Sequence, residues 1–196
     1  MSLSYSVARL LGSVAETEAA ALSVPMTIAV SDDEGALLFS GRMDGALPAS
    51  QEIAVAKAYT AAALRMATHE LGKLAQPGEV LYGIQHTHPG KIVLFGGGRP
   101  LRLKGKVVGA VGISGGTVQE DSQVADVVVK ALTEMEKWSR FIKKLFPKRQ
   151  LEHSRTALVE IALSRALKEM DHTLSPREHF ILAGTIILAA REAEEE

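Results

Sequence analysis

One close histidine pair, His86-Thr87-His88, is the first place in this chain where residue types and spacing invite chemistry. On an extended segment, residues two apart point to the same side. Two neutral imidazoles so placed can hold a transition metal or supply a haem ligand. The pair runs into Pro89-Gly90, which reads first as a polar loop, and no third ligand stands at a recognisable spacing. The chain has no cysteine, which excludes thiolate nucleophiles, disulfides and zinc–thiolate sites. His69 falls near the end of an expected helix, where a cation complements the helix dipole, a structural role.

A second group of candidates combines charge with small residues. Arg42, Asp44 and Lys57 interrupt otherwise small, apolar motifs. Arg42 and Lys57 can pair with a ligand carboxylate. They also suit plain salt bridges, with "RMDG" knitting a strand end to the next helix. The stretch Ser114-Gly115-Gly116-Thr117 precedes a helix start, where amides are unpaired and the dipole is positive. That is either a cradle for an anion or carboxylate, or a strand-to-helix turn capped by Thr117. Glu120 and Asp121 complement the dipole of the same helix. No general base accompanies Ser114 or Thr117, so neither reads as a nucleophile.

The glycines between Leu94 and Thr117 do not build a nucleotide loop. Gly105-Lys106 is followed by valine where a P-loop needs Ser or Thr, and Gly109, Gly112 and Gly115 recur every third residue, unlike a dinucleotide fingerprint. Gly96, Gly97 and Gly98 suit a turn between strands. Gly109 and Gly112 fall on opposite faces of a strand, where a missing side chain admits another backbone, a helix or a ligand.

The elements that must position these residues follow from periodicity. Helices are expected over 4–22, from Gln51 to about Leu71, and from Thr117 into the 130s, where Thr117-x-x-Glu120 forms a capping-box pattern. Strands are expected at Thr27–Val30 and Ala36–Ser40, joined by "DDEG", and at Ile92–Phe95, Arg99–Leu103 and Val107–Ser114. A boundary near Pro147 separates a domain at 1–146 from a C-terminal extension at 147–196, read as two helices (about 151–170 and 176–192) with an acidic tail. The order suits an α+β fold, a mostly antiparallel five-stranded sheet with helices packed on it plus a C-terminal helical pair. With 196 residues and 46% hydrophobic composition, the chain can bury a real core.

A net charge of −1 gives no global field for nucleic acid or a membrane. The basic run around Lys143 reads as a solvated face. The N-terminus lacks a signal-peptide shape, and the longest apolar run, Phe180 to Ala190, is too short to span a bilayer. A cytoplasmic protein is expected.

Four ordered motifs, "TIAVSDDEGALLFSGRMDGA", "AVAKAYTAA", "LFGGGRPL" and "GKVVGAVGISGGTVQEDSQVA", resemble the GlcG/HbpS-like family, known as haem-degrading domains. "LAQPGEVLYGIQ" looks nearest to the PduO C-terminal-domain branch. The resemblance covers about residues 4–136 and none of 148–196. It implies a profilin-like α-β sandwich, a homo-oligomer, and haem, a corrinoid such as cobalamin, or a related carboxylated small molecule as ligand. An enzyme or accessory factor in haem degradation or in glycolate, propanediol or ethanolamine metabolism is the alternative, and a structural assembly protein a third. By position, the pocket is expected among Arg42, Asp44, Lys57, Gly97, Gly98, Ser114, Gly115, Gly116 and Thr117; the resemblance carries over no single haem ligand, so haem binding is expected to depend either on a histidine, with His69, His86 and His88 as the candidates, or on the Ser114–Thr117 turn. The C-terminal helices are expected to dock on the oligomer or a partner protein.

Overall fold

The computed structural model describes residues 2–145 and, in the C-terminal segment, Glu178, Phe180, Ile181, Gly184, Thr185 and Ile187. Helix α1 (Tyr5–Ala21) begins where the Ser4 side chain accepts from the Val7 amide at 3.3 Å. It buries Val7, Leu11 and Val14, the helical stripe read from the sequence. Strands β1 (Thr27–Asp32) and β2 (Leu37–Arg42) form the expected hairpin. Its turn is set by Asp32, whose carboxylate accepts from the amides of Glu34 and Ala36 at 3.0 and 2.8 Å. Strands β3 (Gly98–Leu103) and β4 (Lys106–Ser114) form a second hairpin, and the antiparallel sheet runs β2-β1-β4-β3.

Four strands, not five, make up the sheet among the described residues. Ile92–Phe95 joins no ladder. The Val93 amide donates to Thr60 Oγ1 at 3.0 Å, and that hydroxyl reaches the Lys91 carbonyl at 2.9 Å, so a helix side chain holds the segment instead of a sheet edge.

The helix expected over 51–71 is also divided. Helix α2 (Ser50–Ala63) stops before Arg65, which takes a left-handed φ of 55°, and α3 (Thr68–Leu74) starts afresh. The Arg65 carbonyl accepts from Arg102 of β3 at 2.8 Å, which anchors the break. Helix α4 (Val118–Leu145) completes the domain.

The two faces of the sheet differ in side-chain size. Ile28 and Val30 of β1 and Val111 and Ile113 of β4 join Leu11, Val14, Leu132 and Met135 in the main core, beneath α1 and α4. Full burial of each such side chain contributes about 1.5–3 kcal/mol. The opposite face is built from Ala29, Ala110 and Gly112, set against Ala54, Ala58, Ala61 and Ala62 of α2. A Cβ on Gly112 would stand 2.5 Å from the Ala58 nitrogen, so α2 approaches closely only because this position is glycine. Gly109 faces the other way, toward Leu3.

The described C-terminal residues are helical, and they pack on this same domain. Ile181 is buried in the main core, Gly184 lies against the Met135 side chain, and Thr185 is fully buried. Gly184 is therefore seated on α4 of its own chain. The expected helix over 151–170 lies outside the described residues.

Candidate functional site

Most of the residues singled out from the sequence meet at one junction, and it is packed. Lys57 projects from α2 with no solvent exposure. Its ammonium donates to the Ile113 carbonyl at 2.7 Å and to Asp121 Oδ2 at 2.6 Å, and stands 4.8 Å from the centre of the Phe95 ring. Gly97, at φ 110°, lies over this group, and a Cβ there would come within 2.7 Å of the Lys57 nitrogen. The Gly98 amide donates to the buried Thr68 hydroxyl at 3.0 Å. Burial pushes the Lys57 ammonium below its ordinary range, against the opposing pull of Asp121. Burial likewise pushes the Asp121 carboxyl up, against the stabilising contact with Lys57.

The Ser114–Thr117 turn closes the same junction. The Gly116 amide donates to Asp121 Oδ1 at 3.1 Å. The Thr117 amide and hydroxyl donate to Glu120 Oε2 at 2.7 and 2.9 Å, and the Glu120 amide returns to Thr117 Oγ1 at 3.3 Å. This is the capping box read from the sequence. The bonds to Thr117 hold the exposed Glu120 carboxyl below the usual carboxylate range. The amides of Gly116 and Thr117 are thus held by the chain's own carboxylates. Ser114 is buried at the end of β4. Asp121, read from the sequence only as a dipole complement, is the ionic partner of Lys57.

Other sequence candidates stand apart. Arg42 donates from Nε and Nη2 to the Ala46 carbonyl at 3.2 and 2.8 Å, bracing its own turn, and Asp44 is exposed. His86 ends a short 3-10 turn and His88 follows it, both exposed. That backbone is not extended, so the same-side argument for the pair does not hold. Among the described residues no three His, Asp or Glu side chains group closely enough to hold a metal ion.

His69 leads to a different place. It sits in the first turn of α3, not at the end of a long helix, so the dipole argument for a cation there fails. Thr68, bonded to Gly98, brings α3 against the start of β3. His69 Nδ1 consequently lies 3.1 Å from Arg99 Nη1. Arg99 also forks onto Asp126 of α4, through Nε at 2.7 Å and Nη2 at 3.4 Å.

These three residues edge an open groove of about 710 Å³ along α4, with Val118 and Val127 in its wall and Lys130 at its border. Across it, Gln123 donates to Glu18 of α1 at 3.1 Å. Arg99, Asp126 and Lys130 escaped the sequence reading. A faint signal existed: Ser122, Asp126 and Lys130 recur every fourth residue on α4, and Arg99 directly follows the triple glycine.

Along this groove His69 offers an imidazole, Arg99 and Lys130 offer cations, Glu18 and Asp126 offer carboxylates, and the valine side chains offer apolar surface. The packed junction beside it offers no such space.

A single antiparallel sheet with helices on both faces and a groove opened along one of them defines a small α+β domain. The family model described as "Haem degrading protein HbpS-like" matches residues 3–130, and the chain belongs to that family. Over 133 residues it is 42% identical to an uncharacterized 15.0 kDa protein from the dhaT-dhaS intergenic region of Citrobacter freundii, covering 68% of this chain and 94% of that one. It is also 42% identical over 132 residues to the corrinoid adenosyltransferase PduO of the same organism. That match covers 67% of this chain but only 39% of PduO, so the chain spans about two fifths of that relative's length. Among solved structures, the PduOC:heme complex is similar with a TM-score of 0.64 and 39% identity, over 66% of this chain and 94% of the other.

Proposed function

We propose that this profilin-like domain is a tetrapyrrole-binding module that takes haem in the groove along α4, as a homo-oligomer. The observation that carries the reading is the His69 imidazole beside Arg99 and Lys130 on an apolar-walled groove. The 39% identity to a protein solved as a haem complex supports it. A corrinoid is the second candidate ligand, supported by the match to part of a corrinoid adenosyltransferase. The enzymatic alternative is haem degradation, which the family description names.

Titrating the purified protein with haemin and, separately, with cobalamin tests the reading by absorption spectroscopy. Haemin should give a shifted Soret band that His69→Ala abolishes and that a His86→Ala/His88→Ala variant retains. A shift unchanged in His69→Ala overturns the ligand assignment; no shift at all overturns the haem reading. Loss of the Soret band on adding a reductant and oxygen would favour degradation over storage or sensing. Light scattering that gives a mass near 20.9 kDa would overturn the homo-oligomer.

A further inference from the structure

We infer that Arg99 gates His69, so that the groove accepts a ligand carrying both a metal centre and a carboxylate. The inference rests on the haem-binding reading above and adds a rule of specificity to it. Arg99 Nη1 lies 3.1 Å from His69 Nδ1. A guanidinium can only donate, so Nδ1 is the acceptor and neutral His69 carries its proton on Nε2. Ligation through Nδ1 uses the lone pair that Arg99 now occupies. Ligation through Nε2 requires that nitrogen to lose its proton, which in the neutral ring moves to Nδ1, and two N–H groups then face each other. Coordination by either nitrogen therefore releases Arg99 Nη1.

The released donor stays at the groove. Arg99 Nε and Nη2 remain on Asp126 of α4, and Nη1 keeps the Gly98 carbonyl at 3.2 Å as its other partner. Only the Nη1–imidazole contact has to break. A carboxylate on the incoming ligand restores the bond that Nη1 lost, and a charge-assisted one is stronger than the bond to a neutral ring. A metal centre without a carboxylate breaks the Arg99 contact and returns nothing. Arg99 is thus a specificity-determining residue that also positions the imidazole.

The experiment has two independent readouts. Nitrogen-15 NMR of the haem-free protein reports the tautomer of His69. The unsubstituted protein and Arg99→Lys, which keeps a donor, should hold the Nε2–H form, while Arg99→Leu should show a clear rise in the Nδ1–H form. Haemin and its dimethyl ester are then compared as ligands by Soret titration. The unsubstituted protein should prefer haemin by about tenfold, the worth of one charge-assisted hydrogen bond, and Arg99→Leu should lose that preference. A tautomer unchanged in Arg99→Leu, or an undiminished preference for haemin, overturns the gate while leaving haem binding intact. Absence of any Soret shift in the unsubstituted protein overturns the haem reading itself, and the gate's role with it.

Discussion

Lys57–Asp121 and Arg99–Asp126 both tie α4 to the rest of the domain, and they differ in burial far more than in length. Lys57–Asp121 closes at 2.6 Å with side chains 0% and 4% exposed. Arg99–Asp126 closes at 2.7 Å with side chains 14% and 51% exposed. In the first, an ammonium, a carboxylate, a backbone carbonyl and a backbone amide satisfy one another under a roof of glycine. In the second, the guanidinium has a solvated partner and an imidazole neighbour at the edge of a groove. Burial assigns the roles. A pair with no route to solvent can only hold elements together, whereas a pair on a groove wall can exchange partners with a ligand.

Variants that remove one half of the buried pair should show this contrast most strongly. Lys57→Met alone leaves Asp121 buried without its cation and should cost about 3–5 kcal/mol. The Lys57→Met/Asp121→Asn double variant should cost markedly less than the two single variants summed, because no uncompensated charge remains. Urea unfolding of the four proteins measures the coupling; strictly additive losses would show that the pair is not an energetic unit.

Next comes the close approach that the buried pair depends on. Gly112→Ala places a methyl group against the α2 backbone at Ala54 and Ala58, where no flexible side chain can yield. It should cost about 1–3 kcal/mol by overpacking. Thermal unfolding reads the loss, and a variant as stable as the unsubstituted protein would show that α2 is free to move out.

Smaller again is the cap. Thr117→Ala removes the hydroxyl that bonds Glu120 in both directions and should cost about 1 kcal/mol. If circular dichroism shows the start of α4 fraying and haemin binding nevertheless persists, the groove does not depend on the capping box.

Asp126→Asn should be the mildest change in stability, within about 1 kcal/mol, as for other solvated ion pairs. It should still alter haemin affinity, because Asp126 holds the guanidinium that neighbours His69. A large loss of stability with unaltered binding would reverse the roles given to the two pairs.

The C-terminal extension sharpens the picture from another side. Its apolar pattern announces a docking surface, and among its described residues Ile181 joins the main core and Gly184 meets Met135 of α4 in its own chain. Periodicity shows that Ile181 must be buried; it does not say against what.

Much of the framework was legible in the amino-acid sequence. The α1 stripe of Val7, Leu11 and Val14, both hairpins, the glycine contact at Gly112 and the Thr117–Glu120 capping box follow from local spacing and turn chemistry. The four ordered motifs also carried the family. What depended on tertiary structure was partnership. Lys57 and Asp121 lie 64 positions apart, and His69 and Arg99 lie 30 apart. No local pattern encodes such contacts, because they arise only where separate elements are packed together. The break at Arg65 turned His69 from the end of one helix into the start of another, and the Thr68–Gly98 bond delivered it to Arg99. Residue types fixed what chemistry the chain can offer; the packing of α2, α3 and α4 on one sheet decided which of those groups were sealed in and which were left facing the groove.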